Sequence, residues 1–195
     1  MPNAPLDTQL FDKAVIFAVK AHAGTERRGK GFPYIIHPLD AVTIVATITS
    51  DPELLSAAVL HDVVEDTDCT IEEIRREFGD RIADLVDSES DNTLTSVSRK
   101  DPWRVRKQAA LDRLAQASYD AKVVAMGDKL SNMRAIAMDY DAIGDKLWER
   151  FHAPNGKVDI GWRYRELAKA LSDLSSTVAY QEFVRLIDHV FPSDK

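Results

Sequence analysis

The chain has 195 residues, 45% of them apolar and 29% charged, with a net charge of −7 and a pI near 5.2. That acidity argues against a general nucleic-acid binder, which needs cations to replace phosphate counterions, and the ordinary apolar and charged fractions exclude a disordered chain. A single cysteine (Cys69), no run of about 18 apolar residues and no signal-peptide pattern lead to the expectation of a soluble cytoplasmic protein, off the membrane and folded as one domain over 1–195.

In chain order, apolar residues recur at helical spacing. Phe11, Val15, Ala18 and Val19 mark a first helix, closed by Ala23-Gly24. Leu39, Val42, Val45 and Ala46 mark a second, with Pro38 in its first turn, where a missing N–H costs nothing. Thr70 and Glu73 have the spacing of a capping box that opens a helix at about 71, and Gly79 follows Phe78 where a helix end needs a left-handed residue. Leu111, Leu114 and Ala115, then Val123, Met126, Leu130 and Met133, continue the pattern. An apolar face at Val184, Leu186, Ile187 and Val190 near the end is read as core. The expected class is all-α, roughly eight to ten helices with no significant sheet. Irregular stretches fall at 24–36, 88–102 and 152–160, and the first two carry basic clusters: Arg27, Arg28 and Lys30, then Arg99, Lys100, Arg104, Arg106 and Lys107.

The segment VLHDVVEDT, 59–67, ends an apolar run in ionisable groups. If the helix continues, His61 lies under Glu65 and Asp62 under Asp66, because residues four apart share a face. A neutral imidazole and a carboxylate are competent ligands for a divalent ion, but two ligands rarely suffice. His37 and Asp128 are the candidates to complete the set. Asp128 sits among Val123, Val124, Met126 and Leu130, and an unpaired buried carboxylate costs several kcal/mol. Lys129 or a metal could compensate it; Lys129 is expected to point elsewhere around the helix, which favours the metal. His22 fits a helix C-terminus as a cation facing the dipole, and with His152 and His189 it is too remote to build a second metal site.

The order HP at 37, HD at 61 and GD at 127 resembles the HD-domain metal-dependent phosphohydrolases. GTERRGKGFPYIIHPLDAV, AAVLHDVVEDTDCTIEEIRREFGDRIADLV and VVAMGDKLSNMRAI are most similar to the stand-alone small alarmone hydrolases and to the hydrolase domain of the long bifunctional alarmone enzymes. The resemblance implies an HD-type helical bundle in which His37, His61, Asp62 and Asp128 hold one Mn²⁺. It implies that Glu65 and Asp66 orient and deprotonate water, and that Arg27, Arg28, Lys30, Tyr34 and Asn132 contact a nucleotide. The implied reaction is hydrolysis of the 3′-pyrophosphate of a guanosine alarmone, or an adenosine one, giving the 5′-di- or triphosphate and pyrophosphate. The alternatives are a nucleotide 2′- or 3′-phosphatase acting on a substrate such as NADPH, and a non-catalytic nucleotide-sensing module. The second has no physical need for so many convergent carboxylates.

Two departures stand out. After LVD the chain reads SESDNTLTSVSRKDPWRVRKQ, acidic then basic and longer than in the bifunctional enzymes, and Gly127 stands where those enzymes usually have alanine. With 195 residues there is no room for a synthetase domain, so the expected activity is degradative. The later GDKLWERFHAP and WRYREL are similar to the C-terminal helices of small HD-domain proteins, without a defined role.

Overall fold

Helix α8 (Tyr119–Ile143) is the spine of the fold, and its sequence explains why. Val123, Val124, Ala125, Met126, Gly127 and Asp128 are consecutive and all buried, so this part of the helix is enclosed on every side rather than amphipathic. It packs against α2 (Ile36–Val45), α3 (Pro52–Leu60), α6 (Asp80–Glu89) and α10 (Val178–Val190). In this computed structural model, which describes residues 6–89 and 101–192, the remaining helices are α1 (Gln9–Ala21), α4 (Val63–Asp66), α5 (Ile71–Phe78), α7 (Trp103–Gln116) and α9 (Lys157–Ala170). 3₁₀ geometry runs through Gly144–Arg150 and Ser172–Leu174. The described residues contain no strand; one isolated antiparallel bridge, Glu26 to Pro33, pinches the loop between α1 and α2.

Local chemistry fixes the helix ends close to the functional residues. Asp51 accepts the Glu53 N–H at 2.9 Å and Pro52 occupies the first turn, so α3 starts where it must to carry its apolar run to His61. The Thr70 hydroxyl accepts the Glu73 N–H while Glu73 accepts the Thr70 N–H, the reciprocal box expected of that spacing, and Gly79 ends α5 at φ 89°. On α10, Phe183, Ile187 and Val190 are buried against α8 and α9, so that face is core.

The structure departs from the sequence expectation at two helix boundaries and at His22. Ser88 and Glu89 belong to α6, because the Ser88 hydroxyl bonds back to the Leu85 carbonyl and Glu89 is held by Lys129. Residues 90–100 of that expected irregular stretch, including Arg99 and Lys100, lie outside the described residues. Helix α9 begins at Lys157, inside the stretch expected to be irregular to 160. Asp159 there accepts from the Asn155 backbone and side chain and from Arg104, tying the first turn to α7. His22 is the third difference. It caps α1 but is buried and packed at a tilt against Tyr34, and burial, outweighing Asp62 and Asp66, holds its pKa below the usual value, so it is a neutral group and not a cation facing the dipole.

Candidate metal centre and cleft

Three helices deliver the central groups: His37 from α2, His61 and Asp62 from the break between α3 and α4, and Asp128 from α8. The chain leaves α3 at Leu60 and restarts at Val63, yet the Asp66 N–H still reaches the Asp62 carbonyl at 2.9 Å. Helical geometry is therefore nearly kept, and Glu65 and Asp66 follow into the same cleft. The spacing between α2 and α8 depends on Gly127. A Cβ there would lie 2.8 Å from the Ala41 carbonyl oxygen and from Val45 Cγ2, so the missing side chain permits the approach that brings His37 beside Asp128.

His37 Nε2 lies 3.1 Å from Asp128 Oδ1 and 3.4 Å from Asp62 Oδ2, while its Nδ1 meets the Ser131 hydroxyl at 2.9 Å. His61 Nδ1 lies 2.8 Å from the Ala58 carbonyl and must donate its proton there. Its Nε2 is then the nitrogen turned towards the carboxylates and the one that gives up a proton to an incoming ion. Asp62 Oδ2 at 3.0 Å and Asp128 Oδ1 at 3.6 Å are near this nitrogen, yet neither is aligned to hydrogen-bond with it, so a buried polar atom is left unpartnered. His37, His61 and Asp128 offer atoms within 4.8 Å of one another, and Asp62 borders both imidazoles. Two oriented imidazoles with anionic oxygens around a shared point fit a divalent ion, and the backbone and hydroxyl partners of the far ring nitrogens are the supports such ligands use.

The electrostatics are tightly opposed. Burial works against charging His61, but the charges of Asp62 and Asp128 prevail and hold its pKa well above the usual value. Burial would likewise raise both carboxyls. His61 and His37 keep Asp62 below the ordinary range, and Lys129 followed by the histidines does so for Asp128. An ion binding at His61 Nε2 must displace its proton. The expectation is that metal affinity rises with pH, about tenfold per unit while one proton is displaced, until pH reaches the raised pKa of His61, above about 6.5, and levels off beyond it. Titration calorimetry at pH 7 in buffers of different ionisation enthalpy should report proton release, and a heat independent of buffer would contradict the assignment.

Lys129 does not point away, as its place next to Asp128 suggested. Its ammonium turns back to Asp128 Oδ2 at 2.5 Å and to Glu89 Oε2 at 3.1 Å. Asn132, one turn after Asp128, donates to Asp128 Oδ1 and accepts from Arg27 Nη2, both at 2.5 Å. Tyr34 donates its hydroxyl to Asp62 at 2.6 Å, carries Arg27 over its ring, and is kept protonated by burial and by Asp62 and Asp66.

A cleft of about 240 Å³ opens over these groups. Of the residues singled out in the sequence, it brings together Arg27, Tyr34, His37, His61, Asp62, Glu65, Asp66, Asp128 and Asn132. It does not bring in Arg28 or Lys30; the Lys30 ammonium is engaged by Asp139 at 2.6 Å. Three basic wall residues, Lys107, Lys129 and Arg163, were not assigned there from sequence, and Glu89 was missed altogether. Lys107 stood in a basic cluster equally readable as a solvated face, and Arg163 lies in WRYREL, a stretch with no defined role.

A family model described as the HD domain matches residues 14–151. Over 131 residues the chain is 34% identical to a guanosine-3′,5′-bis(diphosphate) 3′-pyrophosphohydrolase, MESH1, from Danio rerio, covering 65% of this chain and 69% of that protein. It is 45% identical over 87 residues to a protein of the same enzyme name from Aquifex aeolicus, covering 45% of this chain but only 12% of that longer one. The chain thus spans a small part of the long relatives it matches. Among solved structures, a metazoan ortholog of SpoT that hydrolyses ppGpp superimposes with a TM-score of 0.74 at 23% identity, over 95% of this chain and 97% of the other. At that identity the likeness establishes the helical fold.

Proposed function

We infer, from the premise that this chain belongs to the HD domain family, that it is a metal-dependent phosphohydrolase removing the 3′-pyrophosphate of a guanosine alarmone. The observation that carries this reading is the buried, unpartnered Nε2 of His61 facing a second imidazole and two carboxylates. His37, His61, Asp62 and Asp128 are the proposed ligands of one ion; the carboxylates admit Mn²⁺, and the family resemblance is what favours it over other divalent ions. The name of the Danio rerio relative supports the substrate class.

The ion supplies Lewis acidity to the phosphoryl oxygens and acidifies water. Glu65, exposed at the mouth of the cleft, takes the proton from the attacking water, and Asp66 orients that water. Water oxygen bonds to the phosphorus attached to the ribose 3′ oxygen, that P–O bond breaks, and the 3′ oxygen leaves with a proton as pyrophosphate is released. Arg27 and Asn132 face the nucleotide, and Tyr34 fixes Asp62 against the histidines. We place the reaction in the cytoplasm, consistent with the lone cysteine; no helix among the described residues is long and apolar enough to cross a membrane.

The test is product analysis. Purified protein with Mn²⁺ is incubated with guanosine and adenosine 3′-pyrophosphates and with NADPH, and the products are separated by chromatography. Pyrophosphate from the guanosine compound is expected. Orthophosphate, or turnover of NADPH alone, would replace this reading with the phosphatase one, and a loss of activity on swapping Mg²⁺ or Zn²⁺ for Mn²⁺ tests the choice of ion.

A further inference from the structure

A second cavity of about 60 Å³ adjoins the cleft and shares Glu89, Lys107, Lys129 and Arg163 with it. It adds Arg113, and apolar side chains such as Leu111, Leu114 and Leu167 close it. Four cationic side chains therefore meet around one carboxylate in a chain whose net charge is −7. Lys129 is already engaged by Asp128 and Glu89, and Arg113 donates to the Ser88 carbonyl. Arg163 differs. Its guanidinium is half-buried, no hydrogen bond or ion pair is found for it among the described residues, and its charge works against the protonated Lys129 beside it. A half-buried cation next to another cation is relieved by an anion, and guanidinium geometry suits phosphate oxygens. The cavity is far below the roughly 300–1,000 Å³ of a pocket for a whole small ligand, but its size suits one phosphoryl group.

We propose that Arg163, with Lys107, forms an anion subsite for a phosphate group of the substrate other than the one hydrolysed. The proposal rests on the hydrolase reading above and narrows its substrate to nucleotides phosphorylated at a second position. Arg163 lies on α9, beyond the residues 14–151 that match the HD domain model, whereas Lys107 lies within them, so part of this selectivity comes from outside the matched segment.

The experiment compares two substrates with Mn²⁺ present: guanosine carrying a 3′-pyrophosphate and a 5′-diphosphate, and guanosine 3′-pyrophosphate with a free 5′ hydroxyl. Arg163→Gln should raise KM for the first by roughly 10- to 100-fold, the range for losing a charge-assisted hydrogen bond, with kcat nearly unchanged. KM for the second should not move, and Arg163→Lys should recover part of the loss. An equal loss on both substrates, or none on either, overturns the subsite. If the wild type hydrolyses neither, the hydrolase reading fails by itself. The subsite is then read by calorimetric titration of inorganic pyrophosphate into chelator-treated protein, where Arg163→Gln should weaken binding at least about tenfold. Equal affinity overturns it. Should Arg163→Gln not fold by circular dichroism, Lys107→Gln and Arg163→Lys carry the same comparisons.

Discussion

Asp62→Ala is expected to abolish both metal binding and turnover. Asp62 Oδ2 lies 3.0 and 3.4 Å from the two imidazole Nε2 atoms, so alanine removes one of two anionic donors from the proposed ion position and leaves two nitrogens and the Asp128 carboxylate to hold it. Losing a partner behind a ligand already costs roughly 10- to 100-fold in affinity, and losing the ligand should cost more. The substitution also strips the acceptor of the Tyr34 hydroxyl, a half-buried contact whose loss costs about 1 kcal/mol. Because the folded state holds this carboxyl below its ordinary range, its contribution to stability is present above about pH 4 and is lost as pH falls. Asp62→Asn keeps an acceptor for Tyr34 without the charge and separates the two effects. It should fold as the wild type does and still fail to bind manganese in equilibrium dialysis. Manganese-dependent activity in either variant would remove Asp62 from the ligand set.

Glu65→Gln should behave differently, keeping the ion while turnover falls about 10²- to 10⁴-fold, the range for removing a general base. Glu65 is exposed in the cleft, one turn beyond His61 and outside the tight cluster, so a neutral isostere leaves the ligand atoms where they are. The comparison to make is manganese content by elemental analysis beside single-turnover rates. An unchanged rate would assign water activation to Asp66 or to the ion alone, and loss of manganese would make Glu65 a ligand.

Much of this architecture is legible in the sequence because it is local. The helices follow from apolar spacing, the Thr70 box from its two residues, and the grouping of His61, Asp62, Glu65 and Asp66 from helical periodicity that survives the break at 61–62. What stays hidden is set by long side chains and by tertiary approach. Lys129 leaves the helix in a different direction from Asp128, but its four-carbon stem is long enough to curl back, so adjacency in sequence misleads. Lys30 sits between Gly29 and Gly31, both at positive φ, and the turn they make carries it to Asp139 while Arg27 in the same basic run goes to the cleft. Arg163 reaches the site only because α9 packs on α7, a contact that no local pattern announces.

The path from Arg27 through Asn132 to Asp128 has a mechanical consequence. The loop between α1 and α2 has no sheet to brace it, and its pinch at Glu26 and Pro33 fixes its width but not where it sits on the helices. That location is referenced to Asn132 on α8, whose amide spans Arg27 on one side and the Asp128 carboxylate on the other. The loop proposed to meet the nucleotide is thereby tied to a carboxylate of the proposed metal centre. Lys30 on Asp139 and Tyr34 on Asp62 add two further ties, so the distance from the loop to the proposed ion position is set by several polar contacts made deeper in the fold.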